Sequence, residues 1–158
     1  MARPKIRHIA LATKDPHKVA EFYKAAFDMQ EVGRAGPPNP KPGQVYGVYL
    51  SDGTLNMAIL NFGDDDQLGK GPDYVGLHHF GVLVDDLADA RKHVEALGGD
   101  CFRHTPPPGH TGFYETKFHG PDGVVFDISE HPWPGLEAQD SERPAVLAKK
   151  KAKLQAAE

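Results

Sequence analysis

Apolar and polar positions along this chain alternate in short runs, and helical spacing interrupts them twice. From Lys5 to Thr13, Ile6, His8, Ala10 and Ala12 fall on one parity, and Arg7, Ile9 and Leu11 on the other. That is the period-two pattern of a strand. A helix is expected next: Asp15 suits an N-cap, Pro16 the first helical position, and Val19, Phe22, Tyr23 and Ala26 recur at helical spacing. Strands are expected near Val45–Leu50 and Leu55–Leu60, joined through Ser51-Asp52-Gly53-Thr54, with a short strand at Glu31–Val32.

The same order then repeats. His79–Val84 alternates, Asp86 caps a helix carrying Leu87, Ala90, Val94 and Leu97, and Gly98-Gly99 ends it. Phe113–Phe118 and Val124–Ser129 form a hairpin around His119-Gly120-Pro121-Asp122-Gly123. His8 and His79 lie 71 positions apart, as do Asp15 and Asp86, while Asp52 and Asp122 lie 70 apart. The pattern predicts an α+β chain of two tandem β-α-β-β-β modules, residues 5–62 and 77–131, with a linker at 63–76. Residues 132–143 read as an extended exit and 144–157 as a basic helix. The Pro- and Gly-rich segments 33–44 and 104–112 are expected to be loops.

Composition narrows the function classes. The chain of 158 residues has 18 Lys and Arg against 22 Asp and Glu, a net charge of −4, so nothing suggests nucleic acid or an anionic membrane as a partner. A single cysteine, Cys101, excludes an intrachain disulfide and suits a reducing cytoplasm. No apolar run approaches the length of a membrane span.

The alternation also assigns faces. Ile9 and Leu11, and likewise Phe80 and Val82, belong toward the helices, which leaves His8 and His79 on the opposite face beside the small residues Ala10 and Gly81. In the last strand Phe126 and Ile128 take the helix side, so Asp127 shares the face of the two histidines. Two imidazoles and one carboxylate match the facial set of a divalent metal site with open positions. By parity His78 and Glu130 should face away. Glu115 and Lys117 share one face of the preceding strand, and pairing across the hairpin brings one of them close to Asp127. They are the candidate catalytic pair, Glu115 as general base. Tyr49, Tyr114, His104 and His110 are candidate substrate contacts. Arg34 and Arg103 are placed to meet a substrate carboxylate.

The runs His8–Ala12, His79–Asp86 and Pro121–Asp127 resemble the vicinal oxygen chelate superfamily, which includes glyoxalase I, methylmalonyl-CoA epimerase, extradiol dioxygenases and bleomycin-binding proteins. The resemblance covers about residues 5–131. It implies two modules joined in a curved, open mixed-sheet barrel around a divalent metal, held here by His8, His79 and Asp127. Counting from the Asp-Gly turns puts Met57 where relatives carry a fourth ligand. A thioether suits Mg, Mn or Zn poorly, so Met57 is expected to line the substrate wall. Three ligands imply a metal enzyme on a small organic substrate, more narrowly an extradiol-type dioxygenase using Fe2+, with Mn2+, Ni2+ or Zn2+ as alternatives. A glyoxalase-like lyase or isomerase, and a metal-free drug-binding protein, are the other readings. A cytoplasmic homodimer is expected.

Overall fold

The computed structural model describes residues 3–104 and 115–136, together with residues 152 and 155. The first half runs β1 (Lys5–Ala12), α1 (Pro16–Phe27), β2 (Gln30–Ala35), β3 (Tyr46–Ser51) and β4 (Asn56–Asn61). The second runs β5 (Gly76–Leu83), α2 (Leu87–Ala96), β6 (Asp100–Arg103), β7 (Thr116–His119) and β8 (Val125–Ser129). Both helices start as the sequence predicts. The Asp15 carboxylate accepts from Lys18 N and the Asp86 carboxylate from Asp89 N, each at 3.0 Å.

All eight strands form one open mixed sheet in the order β2-β3-β4-β1-β5-β8-β7-β6. The order is symmetric about its centre, where β1 and β5 pair antiparallel. Each first strand also pairs parallel with the last strand of its own half, β1 with β4 and β5 with β8. Duplication therefore places the two first strands side by side and their histidines in contact.

Apolar residues of one parity pack under the helices. Ala20 of α1 meets Val48, Leu50 and Ile59, with Leu11 and Met57 against them. On the other side Leu87, Ala90 and Val94 flank Val84, Phe118 and Ile128, with Val82 and Phe126 against them. The opposite parity leaves His8, His79 and Asp127 on the face away from the helices, where all three are buried.

Three expectations are corrected. β2 extends to Ala35, since Gly33, Arg34 and Ala35 pair with Tyr49, Val48 and Gly47 instead of opening the loop. The exit does not leave the domain at once: Trp133 and Leu136 bury against Leu83, because two large apolar side chains gain more from the core than from solvent. The strict alternation also fails at two places. The β1–β5 register slips between Ile6 and His8 and again between Ala10 and Leu11, so Arg7 and His78 are the extra residues of two bulges. These bulges are themselves 71 positions apart and recur with the repeat. Tyr114, His110 and most of the basic tail lie outside the described residues. Among the described residues, no helix is long and apolar enough to cross a membrane.

Candidate metal centre

The central strands and β8 bring His8, His79 and Asp127 together, with one donor atom from each lying within 4.8 Å of the others. His8 Nε2 is 3.4 Å from His79 Nε2, and His79 Nε2 is 3.1 Å from Asp127 Oδ2. The hydrogen bonds behind the rings decide what these atoms offer. Asn56 Nδ2 donates to Pro134 O at 2.9 Å, which fixes the amide so that Asn56 Oδ1 faces His8 Nδ1 at 2.8 Å. His8 Nδ1 therefore carries the proton, and Nε2 presents a lone pair. Lys117 Nζ lies 3.3 Å from His79 Nε2, a donor facing a second lone pair. That leaves the His79 proton on Nδ1, donated to His78 Nδ1 at 2.7 Å. Two imidazole lone pairs and a carboxylate oxygen thus converge, each ring held from behind as metal-ligating histidines are.

The parity reading missed His78. The bulge turns it inward next to His79, where it stacks on Phe62 with centroids 3.8 Å apart. Burial first, then the nearby His79 and Lys117, push its pKa down to about 3. Burial, Lys117 and His8 push His79 well below the usual imidazole range. Both rings are neutral near pH 7, the form that binds metals.

Lys117 sits directly across the β7–β8 ladder from Asp127, and its ammonium is 2.8 Å from Asp127 Oδ2 and 3.1 Å from Glu115 Oε2. The residue is only 6% exposed. Burial disfavours the charge, but Glu115 and Asp127 outweigh it and raise the pKa. Glu115 Oε1 also accepts from Trp133 Nε1 at 2.5 Å, and the Trp133 indole stacks on His8 at 5.0 Å with the rings 3° from parallel. Of the two residues expected near Asp127, Lys117 is the one that reaches it, and Glu115 is ion-paired to Lys117.

The expected wall residues separate. Ile9 pairs with Met57 and Ala10 with Ala58, whereas Gly81 pairs with Asp127. Ala10 and Gly81 are repeat equivalents, so the counterpart of Asp127 is Ala58, and Met57 turns toward the helix-side core. The count from the turns fails because the first half has one more residue between its Asp-Gly turn and the matching position. Tyr49 lies across β3–β4 from Ala58 and packs against Ala10 and Ala58, on the site's face. Burial raises its pKa, Glu115 adds to the rise, and Lys117 opposes it. His104 is exposed just past β6 and joins none of these contacts. Arg103 is engaged by Asp65 at 3.0 Å and Arg34 by Glu31 at 2.7 Å. Glu130 faces away as expected, accepting from Leu87 N at 3.2 Å.

Sequence reasoning missed Asn56, His78 and Trp133. Asn56 carried a readable signal, a lone amide inside the apolar run Leu55–Leu60, and the structure buries it fully. The place beside Gly81 is filled: a Cβ there would lie 2.3 Å from Asp127 Oδ1 and 2.5 Å from Trp133 Cζ2. Asp127 Oδ1 is itself buried without a hydrogen-bond partner among the described residues. A buried carboxylate with one oxygen facing His79 Nε2 and the other unpaired, together with two opposed imidazole lone pairs, fits a divalent cation, and the nitrogen and oxygen donors suit a first-row transition metal.

No curated protein matches the sequence. Solved structures share the fold. A hypothetical protein from Bacillus halodurans is 20% identical with a TM-score of 0.63, covering 84% of this chain and 99% of its own. A methylmalonyl-CoA epimerase solved with methylmalonyl-CoA and NH4+ is 24% identical with a TM-score of 0.60, covering 80% and 94%. The Mycobacterium tuberculosis methylmalonyl-CoA epimerase is 18% identical with a TM-score of 0.61, covering 84% and 91%. The family model for the Glyoxalase/Bleomycin resistance protein/Dioxygenase superfamily matches residues 5–128, and the chain belongs to that superfamily, the vicinal oxygen chelate proteins.

Proposed function

We propose that this protein is a divalent-metal-dependent enzyme that moves a proton at a carbon beside two neighbouring oxygens of a small organic substrate. The observation that carries the reading is the convergence of His8 Nε2, His79 Nε2 and Asp127 Oδ2, with the carboxylate of Glu115 fixed next to them through Lys117 and Trp133. A divalent ion held by these three residues supplies Lewis-acid polarisation of both substrate oxygens. Fe2+ suits two imidazoles and a carboxylate, and Mn2+, Ni2+ and Zn2+ are compatible.

Glu115 takes the substrate proton at its carboxylate and returns it, a role worth about 10²–10⁴ in rate. Trp133 Nε1 and Lys117 Nζ hold that carboxylate in place, and the buried indole excludes water from the His8 side. Tyr49 lies on the same face, packed against Ala58. Methylmalonyl-CoA epimerases among the proteins that share this fold support the reading.

The test is carbon-bound hydrogen exchange. Metal-loaded protein in D2O is offered 2-oxo acids, 2-hydroxy acids and acyl thioesters, and deuterium incorporation is followed by NMR. Exchange that falls about 10²–10⁴-fold in Glu115→Gln is expected; exchange indifferent to that substitution defeats the assignment. A second reading, extradiol-type ring cleavage with Fe2+, is favoured by the two-histidine, one-carboxylate set and by Ala58 at the fourth-ligand position. Oxygen uptake with catechols under Fe2+, and no deuterium exchange, would establish it instead.

A further inference from the structure

A buried ammonium is costly unless several acceptors satisfy it. Lys117 meets this requirement with three acceptor atoms, and two of them belong to the triad: His79 Nε2 and Asp127 Oδ2, the carboxylate oxygen that faces His79 Nε2 at 3.1 Å. The third, Glu115 Oε2, is not, and Glu115 is anchored independently by Trp133. Lys117 thus has one partner it shares with no metal and two that it does.

The geometry points to Lys117 as a built-in competitor of the metal, so that a divalent ion enters only as the ammonium leaves Asp127 Oδ2 and His79 Nε2 for Glu115. Two cations on one carboxylate repel, and the His79 Nε2 lone pair that already accepts from Nζ is not available for coordination. The β7–β8 register puts Lys117 opposite Asp127, which makes the competition direct. Selectivity follows. Ions that bind nitrogen and oxygen donors weakly, Mn2+ first, fail to displace the ammonium, whereas stronger binders of this set succeed, along the order that rises from Mn2+ to a peak at Cu2+, with Zn2+ below that peak. Glu115 and Trp133 act as the receiving side of the exchange. Loss of the Glu115 charge therefore strengthens the hold of Lys117 on the triad.

This inference rests on the metal reading of His8, His79 and Asp127. The experiment is competition for Zn2+ and Mn2+ against a chromophoric chelator, using full-length wild type, Lys117→Met, Lys117→Arg and His8→Ala. Lys117→Met should bind both ions about 10–100-fold more tightly than wild type, the scale on which groups around metal ligands act. Lys117→Arg, which keeps the charge, should stay near wild type. Should Lys117→Met fail to fold, Glu115→Gln serves: it should weaken binding in the wild-type background. Equal or weaker binding by a folded Lys117→Met, or equal gains in Met and Arg variants, overturns the competition while leaving the metal site intact. Binding by none of the proteins, or unchanged binding in His8→Ala, overturns the metal reading and this inference with it.

Discussion

Gly81→Ala should destabilise the protein, although strand preference alone argues the opposite. Gly81 is not among the glycines with positive φ, so alanine can adopt its backbone without strain. On that ground the substitution would stabilise by about 0.4–1 kcal/mol through the unfolded chain. The site reverses the sign. An added Cβ would sit 2.3 Å from Asp127 Oδ1 and 2.8 Å from Trp133 Cη2, so these groups must retreat by roughly 1 Å to reach ordinary contact. Neither can do so freely. Asp127 is held by Lys117 at 2.8 Å and faces His79 at 3.1 Å, and Trp133 is clamped between the His8 ring and Glu115. Overpacking of this kind costs about 1–3 kcal/mol, which lowers Tm by about 2–4 °C per kcal/mol for a chain of this size. Moving the Asp127 carboxylate should also weaken metal binding about 10–100-fold. Urea unfolding and chelator competition measure the two effects. Gly81→Ala with wild-type stability or better would refute the packing argument.

Other predictions follow from single contacts. Asn56→Ala strands the buried donor His8 Nδ1 and the part-buried acceptor Pro134 O, and should cost about 1–3 kcal/mol in chemical denaturation. It should also let His8 change tautomer, visible in imidazole nitrogen shifts by NMR. His78 has a folded pKa of about 3, below its unfolded value, so its contribution is complete above about pH 6.5 and is lost as the pH falls toward 3. Stability should fall by up to about 1.4 kcal/mol per pH unit across that window for this residue. His78→Gln should flatten the slope, and an unchanged slope would contradict the assignment. Asp15→Ala and Asp86→Ala each remove a helix cap worth about 1 kcal/mol. Being far apart in the two modules, their effects should add in the double variant.

Parity made the site legible from sequence wherever the backbone kept its alternation. His8, Asp127 and the helix-facing Leu11, Val82 and Ile128 all lie where a period of two puts them. The Asp15 and Asp86 caps were equally readable, because a cap is a local interaction between a side chain and the backbone three residues on. The failures have physical causes. A bulge adds a residue without any composition signal, so His78 was turned the wrong way. The two turns differ in length by one residue, which shifted the counterpart of Asp127 from Ala58 to Met57 and exchanged one face of β4 for the other. Trp133 lies beyond the repeat, and nothing local predicts that it would stack on a histidine more than a hundred positions away. That same indole also fills the place beside the small residue Gly81.

Three donors, from the two duplicated strands and β8, are placed to hold one metal ion. Elemental analysis and isothermal titration after anaerobic loading with Fe2+ or Zn2+ test this directly, in wild type and in His79→Ala. The prediction is one divalent ion per chain in wild type, lost in His79→Ala. A wild type that retains no ion, or a His79→Ala variant that retains a full equivalent, would contradict it.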